Sequence, residues 1–279
     1  MESNSLLNTT ERFTETEQMP VLFLGHGSPM NAIGENEFAI AWRRIGKLLP
    51  KPAAILCVSA HWETRGTLVT AMERPETIHD FGGFPKELYD VNYPAPGDPE
   101  LALKTKELIT KYEVGLDQKW GLDHGCWSVV RQMYPAADVP VIQLSLDYTQ
   151  GSHYHYELAK ELALLRQKGV LIIGSGNIVH NLRMVDYEKL DDSEFGYDWA
   201  IEANEKMKSF ILSDDHQSLI DYTSQGKAFH LSVPTPEHFL PLLYVLALKG
   251  EKDKVSLFND KIVAGSLSMT SVLIENLKI

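Results

Sequence analysis

Cysteine is scarce in this chain. There are two among 279 residues, Cys57 inside an apolar run and Cys126 just after His124, and no CxxC pair. A disulfide framework and a thiolate zinc cluster are both excluded, and a reduced, cytoplasmic protein with free thiols is expected. Long hydrophobic runs are missing too. None approaches the 18 residues of a spanning helix, and the polar segment 1–19 contains no apolar core of a signal peptide. Basic residues are outnumbered, 26 Lys and Arg against 38 Asp and Glu for a net charge of −12. Such a balance supplies no footprint for a phosphate backbone, so neither nucleic acid nor a membrane is an expected partner. No HExxH helix, P-loop, GxSxG elbow or Rossmann fingerprint occurs. Any active site must therefore be assembled from distant segments.

What the chain has is an ordinary globular composition, 44% hydrophobic and 23% charged, with no linker or repeat. Short apolar runs at Val21–Leu24, Ala54–Ser59, Val139–Ser145 and Val170–Gly174 read as buried strands, with a later β segment at Ser266–Ile274. Helical patterns lie between and after them, at Asn36–Leu49, Ser152–Lys168 (capped by Ser152), Trp199–Leu212 and Asp215–Tyr222. The alternation predicts a single α/β domain over 20–279, with a central mixed, mainly parallel sheet flanked by helices, after a polar tail at 1–19. The segment Ile78–Gly97, rich in glycine, proline and aromatics, reads as a loop layer or lid. A helix is expected over Pro234–Gly250, with Thr235 as N-cap, Pro236 at the first position, His238 in the first turn and Gly250 closing it.

Three strand runs each deliver a histidine at or just beyond their ends: His26 in VLFLGHGSP, His61 in AAILCVSAHW and His180 in VLIIGSGNIVH. Open α/β sheets bind ligands outside the carboxyl ends of their strands, so three histidines at that topological position point to a metal site. Imidazole suits zinc and iron, and three protein ligands with open positions mark a catalytic metal. His26, His61 and His238 are the ligand set favoured by position. Glu237 competes with His238, because two histidines and a carboxylate suit non-haem Fe(II), although an acidic residue in a first turn is also favoured by the helix dipole. His180 is the candidate general acid and base, and His124, beside Asp123 at a helix start, is a second catalytic candidate. Arg65 and Arg183 are candidates to bind a substrate carboxylate. His79 is a weak candidate for the pocket wall, while His153, His155, His216 and His230 lie in less informative contexts.

The strings FLGHGSPMNAI, SAHWETRG, IHDFGGFP, YPAPG, DHGCW, SGNIVHNLR and TPEHFLPLLYVL, in this order, resemble the class III extradiol ring-cleavage dioxygenases, in their 4,5-DOPA extradiol dioxygenase branch. The resemblance runs from Val21 to about Val272. It implies a single α/β domain, His26, His61 and His238 as metal ligands, and His180 as the catalytic histidine, close enough in some members to be described as a ligand itself. The implied reaction opens a catechol such as L-DOPA with O2 to a muconic semialdehyde, a seco-DOPA. The implied cofactor is one divalent metal, Fe(II) for ring cleavage or Zn(II) as bound, because the wider superfamily uses glutamate where this branch has a third histidine. Trp62, Phe81 and Phe84 are expected to wall the ring. Partners are then a small catechol and O2, with no oligomeric state implied. A zinc-dependent hydrolase and a non-catalytic binding protein on the same scaffold are the alternatives.

Overall fold

The computed structural model describes residues 18–189 and 195–276. Eight strands form one sheet in the order β4-β3-β5-β2-β6-β1-β10-β7, where β1 is Val21–Gly25, β2 Ala54–Thr64, β3 Thr67–Thr70, β4 Val114–Asp117, β5 Val141–Asp147, β6 Val170–Gly176, β7 Lys254–Phe258 and β10 Ser271–Glu275. A separate two-stranded ribbon pairs β8 (Ile262–Val263) with β9 (Leu267–Ser268). The central strands β5, β2, β6 and β1 run parallel, whereas β3 meets β5, and β10 meets β1 and β7, antiparallel. The sheet is therefore mixed with a parallel centre.

Alternation explains how this centre is covered. Val21 and Phe23 of β1, with Leu56 and Val58 of β2, enter one apolar cluster, while Leu22 and Leu24, with Ile55 and Cys57, enter the other. Successive side chains of a strand point to opposite faces, so a strand buried on both faces must be apolar throughout, as these are. The helices are α1 Glu37–Leu48, α2 Lys86–Tyr89, α3 Pro99–Leu108, α4 His124–Met133, α5 Ser152–Lys160, α6 Asp198–Leu212, α7 His216–Ile220, α8 Lys227–Ser232 and α9 Leu240–Ala247. Helix α1 begins where the Asn36 side chain accepts from the Ala39 N–H, and α4 where Asp123 accepts from Cys126. Each cap satisfies an amide that has no partner within its helix.

Several sequence expectations are corrected. The helix expected over Ser152–Lys168 is α5 followed by a 3-10 segment, Ala163–Lys168, that ends at Gly169 in the left-handed region (φ 74°). Ser152 is not its cap, because Gly151 holds that position. The β segment over Ser266–Ile274 is broken into β9 and β10 at Met269–Thr270. Its break lies against β1: a Cβ on Gly25 would stand 2.6 Å from the Met269 backbone. The helix expected from Pro236 begins instead at Leu240, with Pro241 in its first turn, and ends at Ala247 rather than Gly250. Pro241 lacks an amide hydrogen and so suits a helix start; Thr235 spends its hydroxyl on Glu237 rather than on a backbone N–H. Met19, within the expected polar tail, is buried and donates its N–H to Arg166 O at 2.8 Å; residues 1–17 of that tail lie outside the described residues.

Candidate metal centre

The carboxyl ends of β1, β2 and β6 meet at one rim, where five histidines gather. His26 follows β1 directly, and its N–H bonds Gly176 O at the end of β6 (3.0 Å). His61 lies within β2, which runs on to Thr64. His238 sits in the turn before α9, and its carbonyl accepts from Asn177 N–H (2.9 Å). That approach requires glycine at 176, because a Cβ there would stand 2.1 Å from His238 O. His124 opens α4, and His180 is tied through its N–H to Ser232 O (2.8 Å).

The rings of His26, His61 and His238 are mutually 5.0 to 5.2 Å apart between centroids. His180 stacks on His238 at 3.5 Å with the planes 8° apart, and His124 lies 3.8 Å from His61. Two groups have ligand atoms within 4.8 Å of one another, His26 with His61 and His124, and His180 with Glu237 and His238. The ligand set favoured from sequence thus draws on both.

Hydrogen bonds define which nitrogens face inward. Ser175 Oγ donates to Gly125 O (2.5 Å), so its lone pair is what meets His26 Nδ1 at 3.0 Å, and His26 must carry its proton on Nδ1. His238 Nδ1 lies 3.1 Å from Glu237 Oε1, and His61 Nδ1 faces Asp80 Oδ2 at 3.6 Å. The Nε2 atoms of His26 and His61 then face each other at 3.2 Å. Burial, reinforced by the neighbouring imidazoles, pushes the His26 and His238 pKa values well below the ordinary range. Burial, then His124, pulls His61 down to about 3 against the opposing Asp80, and burial pulls His180 down to about 4 against the opposing Glu237. Neutral imidazoles with outward Nδ1–H groups aim lone pairs at one another, an arrangement that a divalent cation resolves. The donor set fits such an ion.

Above the rim lies a cavity of about 590 Å³, lined by the five histidines and Asp80, and by Phe81, Phe84, Leu182, Val185 and Tyr187 among others. Phe81 and Phe84 meet edge to face at 5.4 Å. Three expected substrate contacts do not line it. Trp62 alternates with His61 along β2 and so faces away, buried and stacked on Trp120. Arg65 is exposed in the turn after β2, four residues beyond His61, and Arg183 is exposed in a short 3-10 turn whose neighbours Leu182 and Val185 do reach the cavity. His79 is also absent from the wall, with its Nε2 on Val91 O. Glu237 is outside any helix, so its dipole explanation fails; it holds His238 and accepts from Thr235 instead. The contacts of Ser175 and Asp80 with the histidines are not evident from the sequence. The small residue ending β6 and the acid in the aromatic loop were their only signals.

With this geometry established, comparison with known proteins decides the family. The family described as the catalytic LigB subunit of aromatic ring-opening dioxygenase matches residues 21–272. The chain belongs to this family. It is 48% identical over 261 residues to the 4,5-DOPA dioxygenase extradiol of Escherichia coli K12, covering 92% of this chain and 95% of that protein. A Beta vulgaris protein of the same name is 37% identical, with 89% and 94% covered. A crystal structure of an uncharacterized Escherichia coli K12 protein superposes with a TM-score of 0.80 at 43% identity, covering 92% of this chain and all of that one. The protein is thus an extradiol ring-cleaving dioxygenase of a metal-dependent family. Among the described residues no helix is long and apolar enough to cross a membrane.

Proposed function

We propose that this dioxygenase opens the ring of a catechol carrying an alkyl-amino-acid side chain, with L-DOPA as the reference substrate, at one divalent metal held by His26, His61 and His238. The observation that carries the ligand set is the outward turn of their Nδ1 atoms, to Ser175 in His26 and Glu237 in His238, with His61 Nδ1 facing Asp80 at 3.6 Å and Nε2 of His26 and His61 converging. Fe(II) is the metal proposed for ring cleavage, although the same imidazoles also suit Zn(II). When bound, the metal supplies a chelation site for both catechol oxygens and the redox chemistry that joins ring and O2.

The chain's own residues supply the rest. His180, held neutral by its burial, accepts a catechol hydroxyl proton and returns it as the ring opens to the muconic semialdehyde. His124 contacts a substrate oxygen from the opposite side of the rim. Phe81 and Phe84 cover the ring and keep water from it. The buried free thiols of Cys57 and Cys126 suit a reducing compartment, and the reading places the enzyme in the cytoplasm.

Anaerobic reconstitution with Fe(II), followed by O2 uptake across a panel of catechols, tests the proposal. Consumption of one O2 per L-DOPA, with a yellow semialdehyde formed, is expected. Absence of uptake with every catechol would contradict it.

A further inference from the structure

We infer that Asp80 is a positioning residue that keeps the proton of His124 on Nδ1, so that Nε2 meets the bound catechol as a hydrogen-bond acceptor. The inference rests on the proposed binding of catechol in the histidine cavity.

Both carboxylate oxygens of Asp80 face His124, and Oδ2 also lies 3.6 Å from His61 Nδ1. Oδ1 accepts the His124 backbone N–H at 2.8 Å, and Oδ2 lies 2.9 Å from the ring Nδ1. Nδ1 is buried and makes no aligned hydrogen bond in the structure; Asp80 Oδ2, 2.9 Å away, is the acceptor beside it. A carboxylate offers only lone pairs, so the nitrogen facing it carries the hydrogen. The proton on Nδ1 leaves Nε2, on the far edge of the ring, as the bare nitrogen.

The surroundings hold this pair in place. His124 is the first residue of α4, fastened by the Asp123 cap, and the Phe81 ring packs edge-on against it at 5.4 Å. Asp80 lies at the anchored base of the loop layer, where Trp127 Nε1 donates to Ile78 O at 2.8 Å and Thr77 pairs with Leu122. Two residues on, Gly82 has open space around it. The carboxylate therefore sits on the rigid part of a loop whose tip is free, as a residue that orients another must.

Asp80→Asn separates this role from simple packing. The Asn oxygen keeps the backbone N–H of His124, which turns the amide NH2 toward Nδ1 and forces the ring proton to Nε2, so a donor replaces the acceptor. In a catalytic triad the equivalent change leaves the geometry intact and lowers kcat about 10⁴-fold. Here we expect kcat per bound metal to fall ~100-fold, with KM close to wild type and partial recovery in Asp80→Glu.

The deciding readout needs no turnover. Long-range ¹H–¹⁵N spectra of the Zn(II)-loaded chain, labelled in histidine and assigned with His124→Gln, are expected to show His124 protonated on Nδ1 in the wild type and on Nε2 in Asp80→Asn. A wild-type His124 protonated on Nε2 overturns the inference even if Asp80→Asn fails to fold. So does a reversed tautomer with kcat within ~3-fold of wild type. If the wild type consumes no O2 with any catechol, the proposed function fails and this role with it. Failure of the inference alone is recognised by a chain that cleaves catechol with the wrong tautomer.

Discussion

The histidine rim and the mouth of the cavity above it are built on opposite principles. At the rim His26 and His238 are only 2% and 7% exposed, their ring nitrogens are tethered, and glycine at 176 lets one backbone lie directly on another. At the mouth Leu182 and Tyr187 are 58% and 70% exposed, and Gly82 touches nothing that a methyl group would meet. Chemistry that depends on lone-pair direction needs the first kind of construction, because an error of an ångström in ligand placement abolishes it. Recognition of a ring substituent needs only apolar surface, which adapts. Rim variants should therefore change metal binding or kcat, and mouth variants should change KM.

The largest expected effect is that of His180→Ala. Turnover should fall ~100-fold or more while the metal stays bound, as measured by O2 uptake and metal content on the same sample. Near-normal turnover would remove His180 from proton transfer, whereas loss of metal would make it a ligand. Gly176→Ala comes next. The new methyl displaces His238 O, and metal affinity should fall ~10- to 100-fold in a chelator competition, the range typical of damage to the support of a ligand. Gly82→Ala is its control and should leave affinity unchanged; equal losses would erase the distinction between rim and mouth.

Phe84→Ala should raise KM for a substituted catechol by roughly 10-fold and kcat little, since part of a phenyl contact worth about 1.5 kcal/mol is lost. An equal effect on unsubstituted catechol is expected of a wall that covers the ring, and an effect confined to the substituted catechol would place Phe84 on the substituent instead. The smallest effect is on stability against pH in the metal-free protein. Burial lowers His155 and His180 from 6.5 to about 4, so the unfolded chain binds protons that the folded chain refuses. Stability is complete above about pH 6.5 and declines as the pH falls toward 4. Thermal melts from pH 7.5 to 4.5 check this, and a melting temperature that rises on acidification would reverse the sign.

The strands, and the meeting of His26, His61 and His180 at one cavity, are legible because they follow from local rules: apolar runs mark buried strands, and open α/β sheets gather their ligands beyond the strand ends. The errors arose where the third dimension intervenes. Trp62 adjoins His61 in sequence, yet strand alternation turns it to the opposite face. Arg65 and Arg183 are near His61 and His180 in sequence, but that proximity carries no directional information. The start of α9 was misplaced because two prolines compete for one helix start, and the packing of Gly176 on His238 O fixes the turn in which His238 lies. Asp80 and Ser175 act through distant partners, 44 residues away on His124 and 149 on His26, and no local pattern marks such pairs.

The central claim is that one metal is held by His26, His61 and His238 rather than by His26, His61 and His124. Anaerobic Fe(II) binding, measured by chelator competition on wild type and on alanine variants of His26, His61, His124 and His238, tests it most directly. We expect one metal per wild-type chain, binding abolished in the His26, His61 and His238 variants, and His124→Ala within ~10-fold of wild type. Retention of the metal by His238→Ala together with its loss from His124→Ala would contradict the account.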